Sequence, residues 1–177
     1  PGYYSALATN LAWGPVSRGS SGKQGILYPP LPQTETEVRD IANIFAAAPA
    51  PPDVLLERQA TKALLRQAPL SDYRFVHFAT HAELTDTIQG RLEPFILLSQ
   101  GQGGSPGDSF LTLSEVLDLD LGAQMVVLAN GHASRGQAMA GNGVINLARA
   151  FLYAGARSVL VDLWEVKPEA AQEFFTK

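Results

Sequence analysis

The chain has 177 residues, 46% of them hydrophobic, which is enough to build one substantial core and points to a single domain over residues 1–177. With 17 acidic against 13 basic residues it offers no basic field for a phosphate backbone, so no nucleic-acid partner is expected, and no apolar run reaches the roughly 18 residues a spanning helix needs. The absence of cysteine excludes disulfides and thiolate metal sites, and without a leader-like N-terminus the chain is expected to be cytoplasmic.

Short apolar runs alternate with helical patterns along the chain, the signature of parallel strands joined by crossover helices and covered on both faces. The first strand is expected at SALATNLAW (Ser5–Trp13), followed by a Gly- and Ser-rich loop, GPVSRGSSGKQG. Thr34 or Thr36 is expected to cap a helix through about Ala48, with Val38, Ile41, Ala42 and Phe45 on one buried face, and the prolines at 49, 51 and 52 end it. A short strand at Asp53–Glu57, a short helix at Ala60–Ala68 and a central strand at Tyr73–Thr80 follow. After a polar loop come an apolar run at Glu93–Ser99, a flexible glycine-rich stretch, and a small helix at Leu113–Leu119, signalled by Thr112 with Glu115 three residues on. A strand at Gln124–Ala129, a helix at about Val144–Tyr153 and a last strand at Ser158–Trp164 complete the pattern. Pro1 is not a start residue and EAAQEFFTK stops within a helical pattern, so a segment of a longer protein is expected.

In an open α/β sheet a site belongs at the carboxyl ends of the strands. Three segments end there: THAEL after the Tyr73–Thr80 strand, ANGHASRG after the Gln124–Ala129 strand, and DLWEV at the end of the last strand. His81 lies just beyond an apolar strand, from where an imidazole reaches a nucleophile on a neighbouring strand end, or else bonds loop backbone. His77 is expected to pack in the core or bond a neighbouring strand; a metal site with His81 is disfavoured because no further ligand follows at a convincing spacing. Ser134 and His132 are close in sequence, but a serine mechanism needs a base and an oxyanion hole aligned on one carbonyl, and neighbouring positions do not supply that. The glycines at 131, 136, 141 and 143 form neither a dinucleotide fingerprint nor a phosphate loop, and no cofactor is expected.

Four blocks, Leu31–Phe45 (LPQTETEVRDIANIF), Phe75–Leu84 (FVHFATHAEL), Phe110–Leu128 (FLTLSEVLDLDLGAQMVVL) and Gly141–Val166 (GNGVINLARAFLYAGARSVLVDLWEV), resemble the CHAT domain, a caspase-like module often attached to tetratricopeptide repeats in bacteria. The resemblance implies a three-layer α/β/α sandwich around a mostly parallel sheet. It implies that His81 stands at the family's catalytic histidine and that the amides of Ala82 and position 131 form the oxyanion hole. The family's LSACETG segment reads LANGHAS here, which places Gly131 at the nucleophilic cysteine. LWEV resembles the CHAT pattern LWSV and the LWDV of separase, so Glu165, with Asp162, is implied in selecting a basic side chain.

Two functional classes follow. One is a noncatalytic caspase-like module, a pseudopeptidase that binds peptides or protein partners. The other is a cysteine endopeptidase cleaving after basic residues, whose nucleophile has been replaced. The inactive class is favoured because Asn130, His132, Ala133 and Ser134 also depart from the family context. A covalently attached repeat or sensor domain is the expected partner, and no membrane contact is expected.

Overall fold

The computed structural model describes residues 4–8, 28, 31–48, 50–83, 87–88, 91–129, 141–162, 166 and 168–176. Strand β1 (Tyr4–Ala8) begins one residue before the expected first strand and overlaps its start; residues 9–13 and the Gly- and Ser-rich loop lie outside the described residues. Helix α1 (Pro32–Ile44) starts on a proline, whose fixed φ suits the first helical turn. Contrary to the expectation from sequence, neither Thr34 nor Thr36 caps it: Leu31 is the N-cap, and Thr34 sits inside the first turn with its Oγ1 donating to Leu31 O at 2.7 Å. The helix also stops at Ile44 rather than Ala48, because residues 45–48 close into turns ahead of the prolines.

Strand β2 (Asp53–Leu56) runs into a 3₁₀ turn at Glu57–Gln59, and α2 (Lys62–Gln67) is capped by Thr61, whose side chain accepts from Leu64 N. After a second 3₁₀ turn at Leu70–Asp72 comes β3 (Phe75–Ala79). The next strands are short: β4 (Ala82–Glu83), β5 (Thr87–Ile88), β6 (Arg91–Leu92), β7 (Phe95–Leu97) and β8 (Phe110–Thr112). The glycine-rich stretch before β8 contains a 3₁₀ turn at Pro106–Ser109, capped by reciprocal Ser105 and Asp108 contacts. Helix α3 (Leu113–Leu117) has the expected capping box, Thr112 with Glu115. Strand β9 (Met125–Ala129), helix α4 (Gly141–Tyr153), strand β10 (Val159–Val161) and helix α5 (Pro168–Phe175) complete the order.

The main sheet has the order β10-β9-β3-β1-β2, and every pair in it is parallel. Alternation along β3 divides its neighbours. Val76 and Phe78 point into the larger core with Val126 and Leu128 of β9, Leu65 of α2, Val116 of α3 and Leu147 and Phe151 of α4. Phe75 and Ala79 face Val38 and Ile41 of α1 and Phe175 of α5. The result is the three-layer α/β/α sandwich around a parallel sheet. Burying a side chain such as Phe78 or Phe151 contributes roughly 1.5–3 kcal/mol, so the α4 layer is a main source of stability.

One departure from simple alternation concerns the apolar run at Glu93–Ser99. It does not join the parallel sheet; β7 is the centre of a three-stranded antiparallel sheet, β4-β7-β8. Both its faces are buried, Ile96 and Leu98 against the main core and Phe95 and Leu97 in a cluster with Phe110 and Tyr28. An apolar run enclosed on both sides looks the same in sequence whichever sheet holds it.

Helix α4 ends on Gly155 at φ 111°, with Ala156 N–H on Phe151 O at 3.0 Å and Gly155 N–H on Leu152 O at 3.2 Å, a Schellman closure. A Cβ at Gly155 would lie 2.1 Å from Leu121 O, so glycine here serves both the reversal and the close approach of the loop entering β9. Among the described residues no helix is long and apolar enough to cross a membrane.

Candidate functional site at the strand ends

Parallel register decides which segments meet. Ala79 of β3 stands opposite Ala129 of β9, and Val161 of β10 opposite Leu128. The three strands therefore end at the same side of the sheet. His81 comes two residues after Ala79, and position 131 two residues after Ala129. Gly131, His132, Ser134, Trp164 and Glu165 lie outside the described residues. Asp162, one residue past Val161, is half-buried at the same edge.

Residues 80 and 81 are held by β7. Thr80 Oγ1 donates to Leu97 O at 2.7 Å, and Leu97 N–H donates to His81 O at 2.8 Å. These bonds fix the chain where it leaves the strand. They also set the phase of the β4–β7 ladder: with His81 bonded to Leu97, the next pair, Ala82 and Ile96, is a non-hydrogen-bonded pair. The Ala82 N–H is thereby directed away from β7. His81 itself is 5% exposed, and its ring lies against that of Tyr28, centroids 5.4 Å apart at 50°.

His77 packs in the core, the first of its two expected roles. Its Nε2 is 2.7 Å from Glu37 Oε1, so its partner comes from helix α1 and not from a neighbouring strand. Both residues are enclosed, and Phe175 of α5 packs edge-on against the imidazole at 5.3 Å. The four-residue spacing to His81 does not make a shared face, because β3 ends at Ala79 and His81 turns toward Tyr28. Among the described residues no group of three or more His, Cys, Asp or Glu is placed to hold a metal ion.

Other polar groupings serve the scaffold. Lys62 Nζ donates to both carboxylate oxygens of Glu115 at 2.8 and 3.1 Å and to Phe110 O at 3.1 Å, and Arg66 donates to Glu115 at 2.8 Å, tying α2 to β8 and α3. Burial alone would raise the Glu115 pKa; the Lys62 hydrogen bond, the Thr112 N–H and the charges of Lys62 and Arg66 outweigh it and hold the carboxyl below its usual range. At the amino ends of the strands, Tyr73 donates to Asp53. Burial, that bond and the charges of Asp53 and Asp72 keep the phenol protonated well above its ordinary range.

Two residues at or near this site escaped the sequence. Glu37 lies one position before Val38, within the buried stripe of Thr34, Val38 and Ile41, and a charged residue in an apolar stripe is a legible signal of a buried partner. Tyr28 carries no such signal, since its contact with His81 spans 53 positions and depends on the tertiary fold.

Comparison with known proteins bears on the whole chain. The CHAT domain family matches residues 10–177. Human tetratricopeptide repeat protein 28 is 32% identical over 203 aligned residues, covering 99% of this chain and 8% of that protein. The mouse protein of the same description is 28% identical over 183 residues, covering 84% of this chain and 7% of its own length. The chain thus spans less than a tenth of these relatives. No solved structure matches it significantly.

Proposed function

The chain belongs to the CHAT domain family, and from that premise we propose that it is a caspase-like scaffold without its nucleophile, a pseudopeptidase that binds peptide or protein partners at the carboxyl edge of its sheet. The observation that carries the proposal is the register of β3 against β9, which brings the segment after Ala79 and the segment after Ala129 to neighbouring strand ends. In this reading His81 occupies the place of the base and Gly131 that of the attacking thiol. Glycine supplies no side chain to attack a carbonyl, so the covalent step is lost.

Main-chain recognition survives such a loss. An N–H at Ala82, turned away from β7, and one at position 131 would receive a peptide carbonyl, the same contacts that stabilise an oxyanion during acyl transfer. Asp162 and Glu165 would favour a basic side chain in the bound peptide. The relatives' descriptions support a further part of the proposal, that a tetratricopeptide repeat array is covalently attached; in this reading that array acts as the sensor.

The test is cleavage of a fluorogenic peptide library varied before the cut bond, by the chain as it stands, by Gly131→Cys, and by Gly131→Cys with His81→Ala. Cleavage after arginine or lysine by the Gly131→Cys chain alone supports the reading. Cleavage by the unaltered chain contradicts it.

A further inference from the structure

Between Ala79 and Ala82 the chain leaves the parallel sheet and enters the antiparallel one, and this junction is built on a single residue of β7. The Leu97 N–H donates to His81 O at 2.8 Å, and the Leu97 carbonyl accepts from Thr80 Oγ1 at 2.7 Å, so two consecutive residues grip both polar groups of Leu97. Thr80 is fully buried, which makes its hydroxyl bond costly to lose. The register that follows decides where the imidazole goes. Residues directly opposite in an antiparallel pair project to one face of the sheet; Ala82 stands opposite Ile96, which puts His81 opposite Leu97. Leu97 is in turn opposite Phe110, and both belong with Phe95 and Tyr28 to the small cluster on one face, whereas Ala82, Ile96 and Leu111 belong to the main core on the other. The contact of the His81 ring with Tyr28 is on the same face. A slip of one residue would turn the imidazole to the main core, and β4 contributes two residues, Ala82 and Glu83, to resist it. We propose that Thr80 is a positioning residue for His81: its hydroxyl bond to the Leu97 carbonyl locks the register that carries the imidazole onto the Phe95 and Leu97 face. This rests on the reading of His81 as part of the peptide site, and it adds a residue that the reading does not use.

The ring protons of His81 lie in the field of the Tyr28 ring and so report where the imidazole stands. Carbon–proton correlation spectra of the three histidines, assigned with His77→Gln and His81→Gln, are recorded for the unaltered chain, Thr80→Val and Thr80→Ser. Valine removes the hydroxyl at nearly constant shape, and serine keeps it. Thr80→Val is expected to shift the His81 ring resonances and leave in place those of His77, which is held by Glu37 of α1; Thr80→Ser is expected to restore the unaltered His81 position. Hydrogen exchange at the Leu97 amide should quicken about tenfold in Thr80→Val relative to the Val127 amide of β9, as loss of a buried hydrogen bond implies. Unmoved His81 resonances in Thr80→Val overturn the proposal, and so does a shift as large in Thr80→Ser or one shared by all three histidines. Should Thr80→Val fail to fold, the unaltered chain still decides: a Leu97 amide that exchanges as fast as an exposed one belongs to a junction that fixes nothing, and overturns the proposal. The expected His81 shift with no cleavage by Gly131→Cys would keep the positioning of the ring and remove the peptide-site reading.

Discussion

Substitution of Glu37 tests whether the enclosed pair with His77 holds α1 to the centre of the sheet. The two residues are 3% and 2% exposed and their bond is 2.7 Å, so Glu37→Ala takes a partner from a histidine that water cannot reach. Loss of that bond costs about 1–3 kcal/mol, and the one methylene removed from the α1 interface adds roughly 0.8 kcal/mol. The sum, about 2–4 kcal/mol, overlaps the roughly 3–5 kcal/mol found when one member of a buried pair is deleted. In a domain of this size it corresponds to a fall in Tm of roughly 4–16 °C. Thermal and urea unfolding followed by circular dichroism would measure Glu37→Leu, His77→Leu and the double variant as a cycle. The double variant should recover most of the loss, since two apolar side chains replace a polar pair at little cost, and the coupling should be about 1.5–3 kcal/mol. Single losses that simply add, or a Glu37→Ala cost below about 1 kcal/mol, would refute the reasoning.

Gly155→Ala should destabilise by about 2 kcal/mol or more, read as a lower Tm, because it combines a backbone angle hostile to a side chain with a Cβ 2.1 Å from Leu121 O. Glu57 is exposed at the end of β2 with φ 49°, so Glu57→Gly should stabilise by about 0.5–1 kcal/mol in urea unfolding; a loss would contradict the strain assigned there. The pKa of Glu115 is lowered in the fold, so its contribution is present above the usual carboxylate range and is lost as pH falls through its own value. The stability gap between the unaltered chain and Glu115→Gln should therefore be open at neutral pH and close on acidification, and a gap that widens in acid would be the wrong sign.

Much of the fold was legible where local chemistry acts alone. The Thr112 and Glu115 capping box, the central strand around Val76 and the order of strands and helices along the chain needed only neighbours in sequence. Helix α1 shows the limit: two threonines matched the cap pattern, but Pro32 starts the helix ahead of both. The Glu93–Ser99 run was legible as an apolar run but not as an antiparallel strand, because its two enclosed faces remove the alternation that would reveal one. The position of His81 at a strand end was readable, whereas its ring contact with Tyr28 is one that no local pattern encodes. Glu37 lay between these cases, visible as a charge in an apolar stripe but without an indication that His77 was its partner.

A thiol placed at position 131 reports directly on whether that position and His81 share one site, as proposed. Because the chain has no cysteine, Gly131→Cys carries a single thiol, and its alkylation rate against pH yields its pKa without interference. An adjacent imidazole lowers a thiol from its free value of about 8.5. A shared site predicts a depressed pKa that returns toward that value in the His81→Ala background, and the same ordinary pKa in both backgrounds would rule a shared site out.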